Sequence, residues 1–166
     1  GSIIPLMILA GSLAGTYLAP SADWATAPIA LMITGTAAAA IPVTHLMRAM
    51  GRKNGLLAFM MAAIGTCGLA IVALQLQSFT LFCITAFMLG FCNAALLQSR
   101  FAAMEAVSIE HSSTAASIVL AGGIIAAFVG PELAILGRQL TAVEYQGSFF
   151  LAAICILLGA LLLSFY

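Results

Sequence analysis

The chain has 166 residues, of which 64% are apolar and only 6% charged, with no net charge. Soluble domains run at roughly 45–50% apolar and 25% charged, and no soluble fold of this size hides so much apolar surface from water. Lipid is therefore the solvent for most of the chain, and the neutral balance gives no footprint for nucleic acid.

Gly1-Ser2 reads as an expression scar. The rest, 3–166, is read as one helical domain, because no linker or low-complexity segment interrupts it. A first span covers about 3–20. It rises about 27 Å, just under the hydrocarbon thickness, and no basic residues precede it as in a signal peptide. Ser21-Ala22-Asp23 makes a polar turn. The second span, about 25–47, has Pro28 near its first turn, where a missing N–H costs little. Pro42 lies inside it and should kink the helix. The stretch Thr44–Gly55, THLMRAMGRKNG, then holds three of the five basic residues, Arg48, Arg52 and Lys53.

A third span covers about 55–76, and Gln75, Gln77 and Ser78 turn the chain into a fourth at about 79–99. After the polar segment Arg100–Ser113 come a fifth span at about 114–137, the loop Arg138–Gly147, and a sixth span at about 148–166. Each run is near bilayer length. The fold class is an all-α membrane protein with six transmembrane helices. Cys67, Cys83, Cys92 and Cys155 lie within the apolar runs, show no metal or disulfide spacing, and read as small hydrophobes. With the basic hinge inside, alternation places Arg100 inside and only Arg138 outside. That four-to-one bias is the positive-inside pattern, and an even number of spans puts both termini in the cytoplasm.

Two motifs carry a family resemblance. Gly51-Arg52-Lys53, between the second and third spans, resembles the end of the Gly-x-x-x-Asp-Arg-x-Gly-Arg-Arg signature of major facilitator superfamily transporters. Thr44 stands at the first Gly of that pattern, Arg48 replaces its Asp, and Ala49 replaces the next Arg. Gly130-Pro131 resembles the Gly-x-x-x-Gly-Pro motif of the facilitator fifth helix, with Ala126 at the first Gly. The run Arg100–Glu105, then AASIVLAGG, is similar to a bacterial branch of uncertain substrate. The resemblance implies an N-terminal half-bundle of two inverted three-helix repeats in a bacterial inner membrane. It also implies a small-molecule or ion substrate and a second six-helix half, supplied by further chain or by a second copy as a homodimer. No cofactor is implied.

Several residues are candidates for function. Glu132 is the only carboxylate inside a span, where acids are costly and default to function; the expectation is that it binds a proton or cationic group, against a reading in which it reaches the headgroups. Asn93 either lines a substrate cavity or hydrogen-bonds between helices. Arg100 and Glu105 form either a gate or a solvated pair. Gly51, Arg52, Lys53 and Arg48 are the loop-motif and gating candidates. Gly123, Ala127, Gly130, Ala134 and Gly137 recur at helical spacing on span five, and with Pro131 make a face for close helix packing. His45 is an interfacial residue or a proton sensor. Met88 and Cys92 are weak Cu(I) ligands, which leaves copper or other transition-metal uptake as an alternative cargo. No HExxH, GxSxG or phosphate-loop motif points to an enzyme.

The expected function is half of a secondary transporter that moves a small solute by alternating access, with proton coupling through Glu132; the alternative is a non-transporting membrane scaffold or assembly factor that binds partner helices. Cysteines placed singly at positions 52 and 138, in a cysteine-free background, test the orientation. In right-side-out vesicles an impermeant reagent should label only position 138, and labelling at 52 alone reverses the topology.

Overall fold

The computed structural model describes residues 5, 7–99, 104, 107–138 and 146–165, and among these there is no strand. The described residues form six helices. α1 is a π-helical turn, Met7–Gly11, running into α-helix at Ser12–Leu18. A 3₁₀ turn at Ala22–Trp24 leads to α2, Ala27–Met50, and α3 follows at Arg52–Gln75. α4 is Phe79–Leu97, a 3₁₀ turn covers Ile109–His111, α5 is Ser112–Arg138, and α6 is Gln146–Phe165. α2 to α6 are each long and apolar enough to cross a membrane. In lipid the helix is the element that satisfies its own backbone groups, so the chain is an integral membrane protein.

Helix ends follow local chemistry. Pro28 falls in the first turn of α2, and that helix continues through Pro42 to Met50. α3 ends in a left-handed residue, Gln77 (φ 49°). There Gln77 N–H donates to the Leu74 carbonyl at 3.2 Å and Ser78 N–H to the Ala73 carbonyl at 3.0 Å. This pair of bonds is the Schellman arrangement. Ser78 then caps α4, its hydroxyl accepting from Leu81 N–H at 3.3 Å. One residue thus closes one span and opens the next.

Packing gives a ring. α1 touches α2, α2 lies along α4, α4 along α3, α3 along α6, and α6 along α5, which returns to the π-helical turn of α1. Exchanging α1–α3 with α4–α6 carries the α2–α4 pair into α5–α1 and the α3–α6 pair into itself. Those are the pairings expected of two related three-helix units. α4 is the most buried span and α5 the least.

The most extensive contact is between α2 and α4. The buried stripe of α2, Met32, Gly35, Ala39, Val43 and Met47, steps by three and four residues. A Cβ on Gly90 would overlap the Met32 carbonyl oxygen and lie 2.9 Å from Thr36 N. A Cβ on Gly35 would overlap the Phe87 carbonyl oxygen. The two backbones therefore meet with no side chain between them, as small residues permit in membranes. On the other side of the bundle, Phe82 of α4 and Phe149 of α6 pack edge to face, with centroids 5.9 Å apart at 85°. Ser148 donates to the Ala134 carbonyl at 2.8 Å and joins α6 to α5.

Gly90→Ala should destabilise the bundle by about 1–3 kcal/mol or more through overpacking against backbone. Gly68→Ala, on an exposed stretch of α3 where a Cβ meets nothing within 4 Å, should change stability by less than about 0.5 kcal/mol. Thermal unfolding in one detergent checks both, and equal losses would remove the case for a close-packed α2–α4 seam.

Candidate functional site

The hinge between α2 and α3 contains a single residue. Gly51 sits at φ 81°, ψ 149°, a region open to essentially only glycine. α2 ends one residue before it and α3 begins one residue after it. Sequence spacing places Arg52 and Lys53 in a loop and starts the third span at 55. In the structure both residues lie in the first turn of α3, because a one-residue reversal leaves no loop to hold them. Arg48 occupies the last turn of α2.

The hinge is packed on its inner side and charged on its outer side. Gly55 is buried, and a Cβ there would come within 3.0 Å of Met47 Cγ and 3.2 Å of its Cα. His45, Arg48 and Lys53 are exposed; Arg52 is half-buried and engaged by a partner. Lys53 Nζ donates to the Ser164 carbonyl at 3.2 Å, at the end of α6. A cation on the last carbonyls of a helix suits both their lone pairs and the helix dipole. Gln98 Nε2 donates to Thr44 Oγ1 at 2.9 Å. One end of the bundle therefore gathers the ends of α2, α4 and α6 and the start of α3.

Asn93 lies mid-span in α4, 5% exposed, and faces α2. Its Nδ2 donates to Thr36 Oγ1 over a long 3.5 Å. The Thr36 hydroxyl lies 2.9 Å from the Met32 carbonyl and 3.1 Å from the Gly90 carbonyl, and shares its proton between them. Among the described residues no buried side-chain polar atom lacks a partner. Sequence alone points to Asn93, with Gly90 on its helical face, but not to Thr36 or Gly35 on the helix opposite. Their signal was a polar residue and a glycine at mid-depth in two different spans, and only the fold shows that they share a seam.

On α5, Glu132 is exposed and follows Pro131 directly. Phe128, Val129, Leu133 and Leu136 line a recess of about 230 Å³ beside it, and Glu132 is the polar member of that lining. Gly130, Ala134 and Gly137 are buried, and a Cβ on Gly137 would overlap Ser148 N. Gly123 and Ala127 are exposed, with open space around Gly123. Thus the small-residue row meets its neighbours along the second half of α5 and faces outward along the first. Met88 is 44% exposed whereas Cys92 is buried against Thr66, so the two sulfurs do not share surroundings. Among the described residues no group of three or more His, Cys, Asp or Glu side chains could hold a metal. Arg100 and Glu105 lie outside the described residues.

Comparison with known proteins supplies the family. The chain is 32% identical over 159 residues to the riboflavin transporter RfnT of Brucella anthropi, a match covering 93% of this chain and 39% of that protein. It is also 32% identical over 127 residues to the uncharacterized MFS-type transporter YddS of Bacillus subtilis, covering 76% of this chain and 29% of that protein. The chain thus spans two fifths or less of the length of these relatives. No protein-family model matches it, and no solved structure does.

The hinge geometry carries its own test. Gly51→Ala should cost about 1–3 kcal/mol, all of it from the backbone, since a Cβ at Gly51 meets nothing within 4 Å. Gly65→Ala, equally open but at ordinary helical φ, should not. Equal unfolding temperatures for the two variants would contradict the positive-φ hinge.

Proposed function

Because the chain belongs to the major facilitator superfamily, we propose that it is the N-terminal half of a secondary transporter that moves a small solute by alternating access. The observation that carries this reading is the pair of transporter relatives, each matched over most of this chain and over a minority of its own length. A six-helix ring that matches two fifths or less of its relatives leaves room for a second six-helix half. That half is further polypeptide or a second copy of the chain, and a path forms between the two. The membrane is the bacterial inner membrane, with the hinge end of the bundle cytoplasmic, as the charge bias favours.

The riboflavin name of one relative supports a small organic cargo over copper. Met88 at the surface and Cys92 in the core favour the same choice. The scaffold reading draws on the α2–α4 seam, in which Asn93 turns its amide to Thr36. Two relatives with transporter names outweigh it. With Asn93 in that seam, Glu132 is the better coupling candidate: an exposed acid beside an apolar recess, directly after the Gly130-Pro131 pair. In this reading it binds a proton or a cationic group during the cycle. Gly51, Arg52 and Lys53 act at the inner gate, in a form weakened by Arg48 at the place of the family's Asp.

The experiment is Glu132→Gln in the full-length protein, reconstituted in proteoliposomes. Gradient-driven uptake should fall by about tenfold or more while substrate exchange persists. If both activities keep their wild-type rates and pH profiles, Glu132 is an interfacial residue without a coupling role.

A further inference from the structure

Two prolines sit inside membrane-spanning helices, and each withdraws a donor that its helix needs. Proline has no N–H, so the carbonyl four residues before it loses its helical partner. Pro42 does this to Ala38 in α2, and Pro131 does it to Ala127 in α5. Both carbonyls are deep. Each residue lies at least 11 residues from either end of its helix, about 16 Å of rise, against a hydrocarbon half-thickness of about 15 Å. Neither carbonyl reaches the headgroups.

A carbonyl freed by proline in a membrane finds a donor through local 3₁₀ or π winding, a Ser or Thr hydroxyl, a neighbouring helix, or ordered water. Local winding does not supply one here, because α2 and α5 run as α-helix through their prolines. The hydroxyls of α2 are committed elsewhere. Thr34 donates to the Ala30 carbonyl, Thr44 to Ala40, and Thr36 to Met32 and Gly90. On α5 no Ser or Thr occurs between Ile118 and Gly137. A neighbouring helix of this bundle is not in place either. Ala37, Ala38, Ile41 and Pro42 are all exposed, as are Ile124, Ala127 and Phe128. The donor must therefore come from beyond the described residues, and an acyl chain cannot be that donor.

We propose that the Ala38 and Ala127 carbonyls are acceptor sites for hydrogen bonds from outside this bundle, given by side chains of the second six-helix half or by water held between the halves. These sites rest on the transporter reading, which supplies that second half. The same device occurs on α2 and α5, the helices that change places when α1–α3 is exchanged with α4–α6, and α1 lies between them in the ring. One arc of the ring, α2–α1–α5, thus carries both acceptors and turns from lipid to the other half. Small side chains keep the acceptors open to it: Ala37 and Ala38 on α2, and Gly123 and Ala127 on α5, with open space around Gly123.

The test places nitroxide spin labels on single cysteines at positions 38, 127 and 158 of the cysteine-free, full-length protein in lipid vesicles. Leu158, mid-way along α6 and 55% exposed, is the reference off that arc. Molecular oxygen, which concentrates in lipid, and a water-soluble nickel chelate are the two collision probes. Oxygen collisions at 38 and 127 should be at least about threefold rarer than at 158. Frequent nickel collisions there assign the donor to water, and rare collisions with both probes assign it to side chains of the second half. An oxygen rate at 38 or 127 as high as at 158 overturns the proposal for that carbonyl. Labels at Ile41→Cys and Ile124→Cys, which replace large exposed side chains three residues away, keep the test in force if a label at a small residue disturbs folding. The Glu132→Gln uptake experiment reads coupling and not accessibility, so the transporter reading and these acceptor sites fail separately.

Discussion

Backbone-to-backbone contact between α2 and α4 is the constraint on which the rest of the bundle depends. In lipid the hydrophobic effect does not drive helices together, since acyl chains are as apolar as the side chains. Attraction must come from dispersion at close range and from a few hydrogen bonds. Gly35 and Gly90 allow that range, each offering a surface on which the opposite backbone rests. Thr36 then exploits the proximity by sharing its proton with a carbonyl of each helix while accepting from Asn93. Such a bond is weak, of order 0.6 kcal/mol in membrane double-mutant cycles. Its role is to fix the register that the glycines leave free to slide.

The spans were legible in the sequence because hydropathy is a local property. A run of about 20 apolar residues announces a helix whatever it later touches, and α2 to α6 fall where the apolar runs lie. The ends were less legible. The first turn of α3 contains Arg52, Lys53 and Asn54, which hydropathy assigns to a loop. The structure includes them because Gly51 reverses the chain by itself. Pairing was not legible at all. Nothing local links Lys53 to Ser164, or Thr44 to Gln98, and these bonds span 111 and 54 residues of sequence. Asn93 shows the same limit: a polar residue in mid-membrane has two readings, and only the identity of the facing helix separates a cavity from a seam.

A loopless hinge also constrains how the basic end can behave. If Arg52 and Lys53 sat in a flexible loop, they could follow any partner at little cost. On a helix whose first turn is fixed by Gly51 and by the Gly55–Met47 contact, they move only as α3 moves. Lys53 in turn is attached to the last turn of α6, and α3 runs along α6. The charges of α3 are therefore tied to a helix that runs along both α4 and α6, whereas Arg48 sits on α2, whose main neighbour is α4. Arg48 and Lys53 thus lie on two helices joined by a pivot of one residue. Bringing like charges together there is opposed at the headgroup level, where screening by water and salt is strong but incomplete. With one residue between the two helices, neither cation has a loop in which to move aside, so the backbone of Gly51 sets how the two charges are spaced.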